Sequence, residues 1–295
     1  MQGFGHLLTA MVTPFKEGGA VDYDKAAELA SRLLDCGSDG IVVSGTTGES
    51  PTLTFDEKVS LFKAVVEAVG GRGVVLAGTG SYCTQETIEL TKTAEKVGVD
   101  GIMLVTPYYN KPPQSALYSH FKMIAAETEL PIMLYNVPSR TSVNLLPETV
   151  ARLAEIENIV AIKEASGNLG QVARIYQMTP DDFYIYSGDD NLTLPVLSVG
   201  GVGVVSVAAH VVGHSIREMI DLFLAGKVKE AAEVNRKLVP LFEAMFVTTN
   251  PIPVKTAVNL LGGDVGSLRP PLQEPSAEQV TVIKEALKKV GLIDF

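Results

Sequence analysis

Residues 159–166 are Ile-Val-Ala-Ile-Lys-Glu-Ala-Ser, an apolar run that ends in a lysine and a glutamate. Four consecutive apolar residues predict a strand, 159–162, that is buried on both faces. An ammonium at Lys163 would then be costly to bury, because burial disfavours the charged form and lowers the pKa of a lysine. The resulting neutral amine is a nucleophile toward carbonyl groups. Alternatively, Lys163 extends its ammonium into solvent or pairs with a carboxylate.

Similar apolar runs recur along the chain and alternate with segments of helical periodicity. The predicted strands are residues 7–12, 40–44, 74–77, 101–105, 131–135, 159–162, 183–186 and 203–207. The intervening helices include residues 24–35, 56–69, 84–97, 114–127 and 146–153. Because an all-parallel sheet needs helices to cover it, this order predicts an α/β fold, a (β/α)8 TIM barrel. An open doubly wound sheet is the structural alternative.

The pattern changes after residue 226, where only helices are predicted, at residues 228–245, 253–261 and 276–290. We therefore divide the chain into a catalytic barrel, residues 1–226, and a C-terminal helical extension, residues 227–295. Local signals support the helix ends. Thr54 with Glu57 forms a capping box, and Pro147 suits a first helical position. Glycines that suit left-handed caps follow three helices, at Gly37, Gly70 and Gly98.

Composition limits the class of protein. The chain has 295 residues, 46% of them hydrophobic, and a formal net charge of −10, which argues against nucleic acid and anionic membranes as partners. The N-terminus has no basic cluster ahead of its apolar run, so no secretory signal is predicted. Cys36 and Cys83 suit reduced thiols in a cytoplasmic protein. Residues 191–216 carry no Asp, Glu, Lys or Arg, but Pro195 and several glycines divide them into a short helix and a strand rather than a membrane span.

Polar residues follow the predicted strands at the end where a barrel of this kind places its active site. They are Thr13, residues 45–49, 78–80, 106–110, 135–140, 163–164 and 187–190, and Ser206. Hydroxyls, one lysine and one arginine therefore converge on one face. Residues 45–48 could grip a carboxylate with backbone amides and hydroxyls, or could form an ordinary turn.

The other candidates also have structural explanations. Tyr108 could be a surface aromatic, Tyr135 a buried core tyrosine, and Arg140 a helix cap or half of a surface ion pair. His210 and His214 have the spacing of two metal ligands on one helix face. No HExxH glutamate or nearby cysteine accompanies them, so we expect no metal site.

Several motifs together resemble a known family. They are Gly-Thr-Thr-Gly-Glu at 45–49, Tyr-Asn-Val-Pro-Ser-Arg at 135–140, Ile-Lys-Glu at 162–164 and Asn-Pro-Ile-Pro-Val-Lys at 250–255. In this order they are similar to the dihydrodipicolinate synthase and N-acetylneuraminate lyase family of pyruvate-using class I aldolases. The similarity covers essentially the whole chain. Tyr-Tyr-Asn at 108–110 and Arg140 resemble the synthases, since sialic acid lyases generally lack that arginine.

The resemblance implies a lyase that condenses pyruvate with L-aspartate 4-semialdehyde to give 4-hydroxy-tetrahydrodipicolinate. This is the first committed step of the diaminopimelate route to lysine. Lys163 would form a Schiff base with pyruvate, and Tyr135 would carry protons, relayed by Thr46 and Tyr109. In the family the second tyrosine reaches into a neighbouring subunit's site, which implies a homo-oligomer, a tetramer made of two tight dimers. A relay is chemically reasonable, because a phenol with a pKa of about 10 is a poor base alone.

The resemblance also assigns residues to substrate binding. Thr46 and Thr47 would hold the pyruvate carboxylate, and Arg140 would bind the carboxylate of the semialdehyde, which suits a guanidinium fork. The Gly188 loop and the carbonyl of Val205 would line the pocket. The scheme requires no metal and no other cofactor.

A regulatory site for lysine is known at a subunit interface of many synthases in the family. The corresponding positions here are Ser50, Pro51, Phe55, Lys58, Tyr82, Glu86 and Tyr108. Inhibited members tend to carry histidine where this chain has Lys58, and asparagine where it has Tyr82. A fixed ammonium at residue 58 would repel a cationic ligand, although Glu86 would still attract it. We therefore expect weak or absent inhibition by lysine.

Two other functions remain open from the sequence. A related lyase acting on sialic acid or a 2-keto-3-deoxy acid would share Lys163 and Tyr135 but has no clear use for Arg140. A catalytically silent barrel that binds a keto acid is the alternative from another class.

Overall fold

The computed structural model describes residues 3–294, in which eight parallel strands close into one barrel. The strands are β1 (Leu7–Ala10), β2 (Gly40–Val43), β3 (Val74–Gly78), β4 (Gly101–Val105), β5 (Ile132–Asn136), β6 (Ile159–Glu164), β7 (Tyr184–Ser187) and β8 (Gly203–Ser206). Each strand pairs with the next, and β8 pairs with β1. The predicted TIM barrel is therefore confirmed, and the open-sheet alternative is wrong.

Helices follow the strands and cover the barrel from outside. They are α1 (Tyr23–Asp35), α2 (Phe55–Val69), α3 (Thr84–Val97), α4 (Gln114–Ala125), α5 (Pro138–Thr141), α6 (Pro147–Leu153), α7 (Leu169–Met178), α8 (Thr193–Ser198) and α9 (Ala209–Leu224). Three further helices follow the barrel, α10 (Val228–Ala244), α11 (Ile252–Leu260) and α12 (Ala277–Lys289). The turn between α9 and α10 includes the predicted boundary at residue 226, which stays a prediction.

The capping residues in the sequence predicted several helix ends correctly. Thr54 caps α2 with the predicted capping box, and the helix ends at Gly70 in the left-handed conformation. The left-handed glycine predicted after α1 is also present, because Cys36 is the C-cap residue of that helix and Gly37 follows it with φ of 102°. The uncharged stretch 191–216 contains α8, β8 and the start of α9. None of the helices in residues 3–294 combines the length and apolar character needed to cross a bilayer.

The predicted strand ends differ from the observed ones where polar residues are buried. We expected the strand at 159 to stop at Ile162, but β6 continues through Lys163 to Glu164. The buried Glu164 carboxylate is satisfied there, since it accepts hydrogen bonds from the Asn136 side chain, the Gln171 side chain and the Ser166 amide. The lysine therefore projects from a rigid strand rather than from a loop.

Side chains alternate along the strands between two apolar clusters. One cluster fills the barrel interior and includes Leu8, Met133, Ala161 and Val205. The larger cluster lies between the strands and the helices and includes Ile162. Because the strand period is two, Lys163 faces the barrel interior with Ala161, at the end of β6 where the interior opens.

Candidate active site

Lys163 and Tyr135 are direct neighbours at the carboxyl end of the barrel. The two residues pair in register between β5 and β6, which points their side chains to the same face. Lys163 is 5% exposed, and its Nζ lies 4.3 Å from the centroid of the Tyr135 ring. No carboxylate of residues 3–294 lies within ion-pair distance of this Nζ, whereas the other buried lysine, Lys255, pairs with Glu49. The alternative in which Lys163 reaches solvent or forms an ion pair is wrong.

The environment favours the neutral form of this amine. Burial and, to a smaller extent, the positive charge of Arg140 lower the pKa of Lys163 to about 8. The negative charge of Asp190 acts in the opposite direction. At pH 7 about one molecule in ten therefore carries the neutral amine, compared with fewer than one in a thousand for an ordinary lysine. This is the protonation state that attacks a carbonyl.

Asp190 is a buried acid that the sequence placed at this end of the barrel without assigning it a role. Its carboxylate accepts hydrogen bonds from the Ser206 hydroxyl and from the Val207 and Ala208 amides. Burial raises the pKa of Asp190, and these three donors lower it. The three donors stabilise the ionised form of Asp190, and its negative charge would favour a cation formed on the Lys163 nitrogen.

The Tyr135 phenol is buried but connected to other polar groups. Burial raises its pKa, while the charge of Arg140 and the nearby Thr46 side chain lower it. Thr46 is half-buried at the end of β2. The structure thus brings together three of the four predicted catalytic residues: Lys163, Tyr135 and Thr46.

A cavity of about 210 Å³ is lined by these residues and by the predicted substrate-binding residues other than Val205. Its lining includes Thr46, Thr47, Tyr135, Arg140, Lys163 and Gly188. A side chain at Gly188 would not fit, because a Cβ there would lie 2.6 Å from the Ala165 Cβ and 3.2 Å from the Lys163 Cε. The absence of a side chain at Gly188 therefore leaves room for the side chain of Lys163. The cavity is of a size for a small keto acid rather than a nucleotide.

Thr47 and Arg140 both form hydrogen bonds with Asn250, which precedes α11. The Asn250 side-chain amide donates a hydrogen bond to the Thr47 hydroxyl at 2.9 Å. The Asn250 main-chain carbonyl accepts one from the Arg140 guanidinium at 3.2 Å. Thr47 is buried, and Arg140 on α5 is exposed. One polar group is thus fixed deep in the cavity and one cationic group stands at its mouth, an arrangement that suits two carboxylate-bearing substrates.

A second cavity of about 230 Å³ adjoins the first and contains part of the predicted lysine site. Tyr135, Thr46 and Arg140 line both cavities, and Ser50, Lys58 and Tyr108 line only the second. Tyr82 packs edge-on against Tyr108, with ring centroids 5.3 Å apart. Burial lowers the pKa of Lys58, and the charge of Glu86 raises it. The predicted regulatory residues therefore lie together, next to the predicted catalytic ones.

Two residues predicted for the active site, Tyr109 and Val205, line neither cavity. Tyr109 is 88% exposed, with φ of 71°. Val205 lies within β8, and its side chain belongs to the barrel interior. His210 has no nitrogen free for a metal, because Nε2 accepts from the Val12 amide and Nδ1 donates to the Val207 carbonyl.

Sequence reasoning missed the contacts from the helical extension. Asn250 was noted only as part of a motif, although it bonds to Thr47 across 203 positions. The buried pair between Lys255 and Glu49 was not predicted either. One signal was available for Lys255. It lies on the apolar face of α11 between the buried Ile252 and Val258, three residues away on each side.

Comparisons with known proteins identify the family to which the chain is similar. A family model described as the dihydrodipicolinate synthetase family matches residues 3–290. A 4-hydroxy-tetrahydrodipicolinate synthase from Heliobacterium modesticaldum is 56% identical over 98% of this chain and 96% of its own length. A dihydrodipicolinate synthase from Cyanidioschyzon merolae, solved with lysine bound, is 51% identical with a TM-score of 0.97, covering 98% of this chain and 99% of that one. One from Bacillus anthracis is also 51% identical, with a TM-score of 0.95 and the same coverage.

Proposed function

The chain belongs to the dihydrodipicolinate synthetase family, and we propose that it condenses pyruvate with L-aspartate 4-semialdehyde through a Schiff base on Lys163. The product is 4-hydroxy-tetrahydrodipicolinate, and the chain is an enzyme of the lyase class. The observation that carries the proposal is the buried Lys163 amine, with a pKa of about 8, next to the Tyr135 ring. The relatives' shared activity supports condensation rather than cleavage of a sugar-derived keto acid.

The first stage joins pyruvate to the enzyme. The neutral amine of Lys163 attacks C2 of pyruvate, and the keto oxygen leaves as water once protons have moved from nitrogen to oxygen. Tyr135, in register beside Lys163, is the group placed to carry these protons. The hydroxyl and amides of Thr46 and Thr47 hold the carboxylate, so that C2 stays near the amine.

The second stage forms the new carbon–carbon bond. The protonated imine draws electrons from C3, which loses a proton and becomes the nucleophilic carbon of an enamine. That carbon attacks the aldehyde of the semialdehyde, whose oxygen takes up a proton and becomes the hydroxyl group. The amino group of the semialdehyde then displaces the Lys163 nitrogen, which closes the ring and frees the lysine. The fixed charge of Asp190 favours the cationic imine throughout.

We also propose that the enzyme acts as a cytoplasmic homo-oligomer, a tetramer of two tight dimers. The exposed phenol of Tyr109 supports this, because a side chain outside its own cavity is free to complete the proton relay of a neighbouring subunit. The two cysteines, Cys36 and Cys83, are unbonded, as expected of reduced thiols.

A coupled assay with pyruvate and L-aspartate 4-semialdehyde tests the proposed substrates, and Arg140→Ala tests how they are held. Removing a charge-assisted hydrogen bond to the semialdehyde should lower kcat/KM for that substrate by about 10- to 100-fold. The KM for pyruvate should change by less than about threefold. The control is Arg152→Ala, an exposed arginine stacked on Tyr118, which should leave both constants unchanged. Equal losses for both substrates would contradict this division of roles, and turnover only with a sugar-derived aldehyde would contradict the function.

We further propose that lysine inhibits this enzyme weakly. Lys58 lines the second cavity near Glu86, so its ammonium offsets part of the negative charge with which the Glu86 carboxylate would attract a cationic ligand. A titration should show little inhibition below about 1 mM lysine at neutral pH. Lys58→His, which removes most of the fixed charge at pH 8, should shift inhibition to lower lysine concentrations. Strong inhibition of the unmodified enzyme below 1 mM would contradict the expectation.

A further inference from the structure

Asn250 lies where the helical extension meets the substrate cavity. It is 6% exposed and lines the same cavity as Lys163 and Thr47. Its side chain donates to the Thr47 hydroxyl, and its main-chain carbonyl accepts from Arg140. A single residue from outside the barrel therefore contacts both side chains that we assign to the substrate carboxylates.

The direction of the side-chain hydrogen bond has a chemical consequence. A threonine hydroxyl has one hydrogen to donate, and a carboxylate can only accept. Because Thr47 accepts from the Asn250 amide, its own hydrogen stays free for the pyruvate carboxylate. An acceptor at position 250 would instead take that hydrogen and leave lone pairs facing the substrate.

Only part of the polar Asn250 side chain is paired within the fold. The Asn250 Oδ1 is buried and, among residues 3–294, has no hydrogen-bond partner. A buried carbonyl without a protein partner contributes nothing to the stability of the fold. The hydrogen bond that this side chain makes within residues 3–294 is the one that it donates to Thr47.

A buried ion pair fixes the position of Asn250 relative to the substrate loop. Lys255, five residues later, donates to Glu49 at 2.8 Å and to the Ser267 carbonyl at 2.7 Å. Glu49 follows Thr47 by two residues and also accepts from the Arg269 amide at 2.9 Å. The loop that carries Thr47 is thus attached to the extension at two points, which limits the geometries open to the Asn250 amide.

We propose that Asn250 is a positioning residue for pyruvate, which acts by orienting the Thr47 hydroxyl toward the pyruvate carboxylate. This inference rests on the proposed function, because it takes Thr47 as the carboxylate-binding residue. It gives the helical extension a direct part in substrate recognition. Variants of the Asn250 side chain should also affect the two substrates differently. Arg140, which we assign to the semialdehyde, bonds to the main-chain carbonyl of Asn250, and a substitution of the side chain leaves that carbonyl in place.

The test compares Asn250→Asp with Asn250→Ala in the intact enzyme. The measurement is the pyruvate concentration that gives half-maximal adduct after borohydride reduction. Asn250→Asp keeps the shape but turns the donor into a charged acceptor, and should raise that concentration by about 10- to 100-fold. Asn250→Ala only removes the donor and should raise it less, by about three- to tenfold. The KM for the semialdehyde should change less than the pyruvate value in both variants.

Two controls separate positioning from folding. Asn158→Ala removes side-chain hydrogen bonds to the Ala125 and Thr128 carbonyls, remote from the predicted site, and should leave pyruvate binding unchanged. In a Thr47→Val background, Asn250→Asp should lose most of its effect, because the hydroxyl that it misdirects is gone. Should Asn250→Asp fail to fold, Asn250→Ala gives the same comparison with a smaller shift.

Each outcome decides a different claim. If the unmodified enzyme forms the adduct but Asn250→Asp has the same half-saturation, the inference is overturned and the proposed function stands. The same holds if the aspartate variant weakens pyruvate equally with and without Thr47. If the unmodified enzyme forms no adduct with pyruvate, the proposed function is overturned, and this inference with it.

Discussion

Replacing Lys163 with alanine should abolish the adduct that forms with pyruvate under borohydride. The amine is the only nucleophile that we assign to the reaction, and no other lysine in residues 3–294 is both buried and without a carboxylate partner. Turnover should fall by at least about a thousandfold, since positioning alone would remain. The measurement is the intact mass after reduction, which should rise by one pyruvate-derived group in the unmodified enzyme and not at all in Lys163→Ala.

Peptide mapping of the reduced enzyme supplies an internal control. Lys255 is also buried, but its ammonium is held by Glu49 and the Ser267 carbonyl, so it should carry no label. Lys229→Ala, at an exposed position on α10, should leave the labelling unchanged. A full adduct in Lys163→Ala, on any lysine, would refute the assigned role.

The same labelling experiment reports the ionisation of the amine. Because burial lowers the pKa of Lys163 to about 8, the neutral fraction rises through this value as the pH increases. The initial rate of labelling at low pyruvate should therefore rise about tenfold per pH unit below pH 8 and level off above it. For a lysine of ordinary pKa the rise would continue to about pH 10.

The barrel was predictable from sequence because its signal is local and repeated. Each apolar run marks a strand, and a parallel sheet of such strands must be covered by helices. The same local pattern drew attention to Lys163, because an ammonium beside four apolar residues is costly to bury, but its role came from the resemblance of several motifs to a known family. The predicted end of β6 was wrong because we placed the strand boundary before the charged residues Lys163 and Glu164. Glu164 extends β6 because its backbone pairs with both neighbouring strands and its buried carboxylate is satisfied, in part by the side chains of Asn136 and Gln171, and the local pattern shows neither.

The contacts that complete the site could not be predicted in this way. The burial of Asp190 depends on Ser206 and on amides at the start of α9, and nothing near residue 190 indicates them. Asn250 lies in a segment whose local pattern announces a helix start, and its bond to Thr47 depends on how α11 packs against the barrel. Register has the same limit: the sequence places Tyr135 and Lys163 at the same end of the barrel, but only the strand pairing makes them neighbours.

Replacing Tyr135 with phenylalanine should give the second large loss of activity. Phenylalanine keeps the ring that packs beside the Lys163 amine and removes only the hydroxyl that we assign to proton transfer. Loss of a positioned acid–base group should lower kcat by about 10²- to 10⁴-fold. The measurement is kcat in the coupled assay, together with the thermal midpoint, which should change little because the ring remains in place.

Tyr186 offers a matched control, because it pairs with Lys163 in register from the other side, through β7. Its hydroxyl is used elsewhere: it donates to the Gly5 carbonyl and accepts from the Phe4 amide. Tyr186→Phe should therefore lower the free energy of unfolding by about 1 to 3 kcal/mol and leave kcat nearly unchanged. The two tyrosine variants therefore distinguish proton transfer by Tyr135 from packing around Lys163. Equal losses of kcat in both variants would mean that packing around the lysine, rather than proton transfer by Tyr135, limits the reaction.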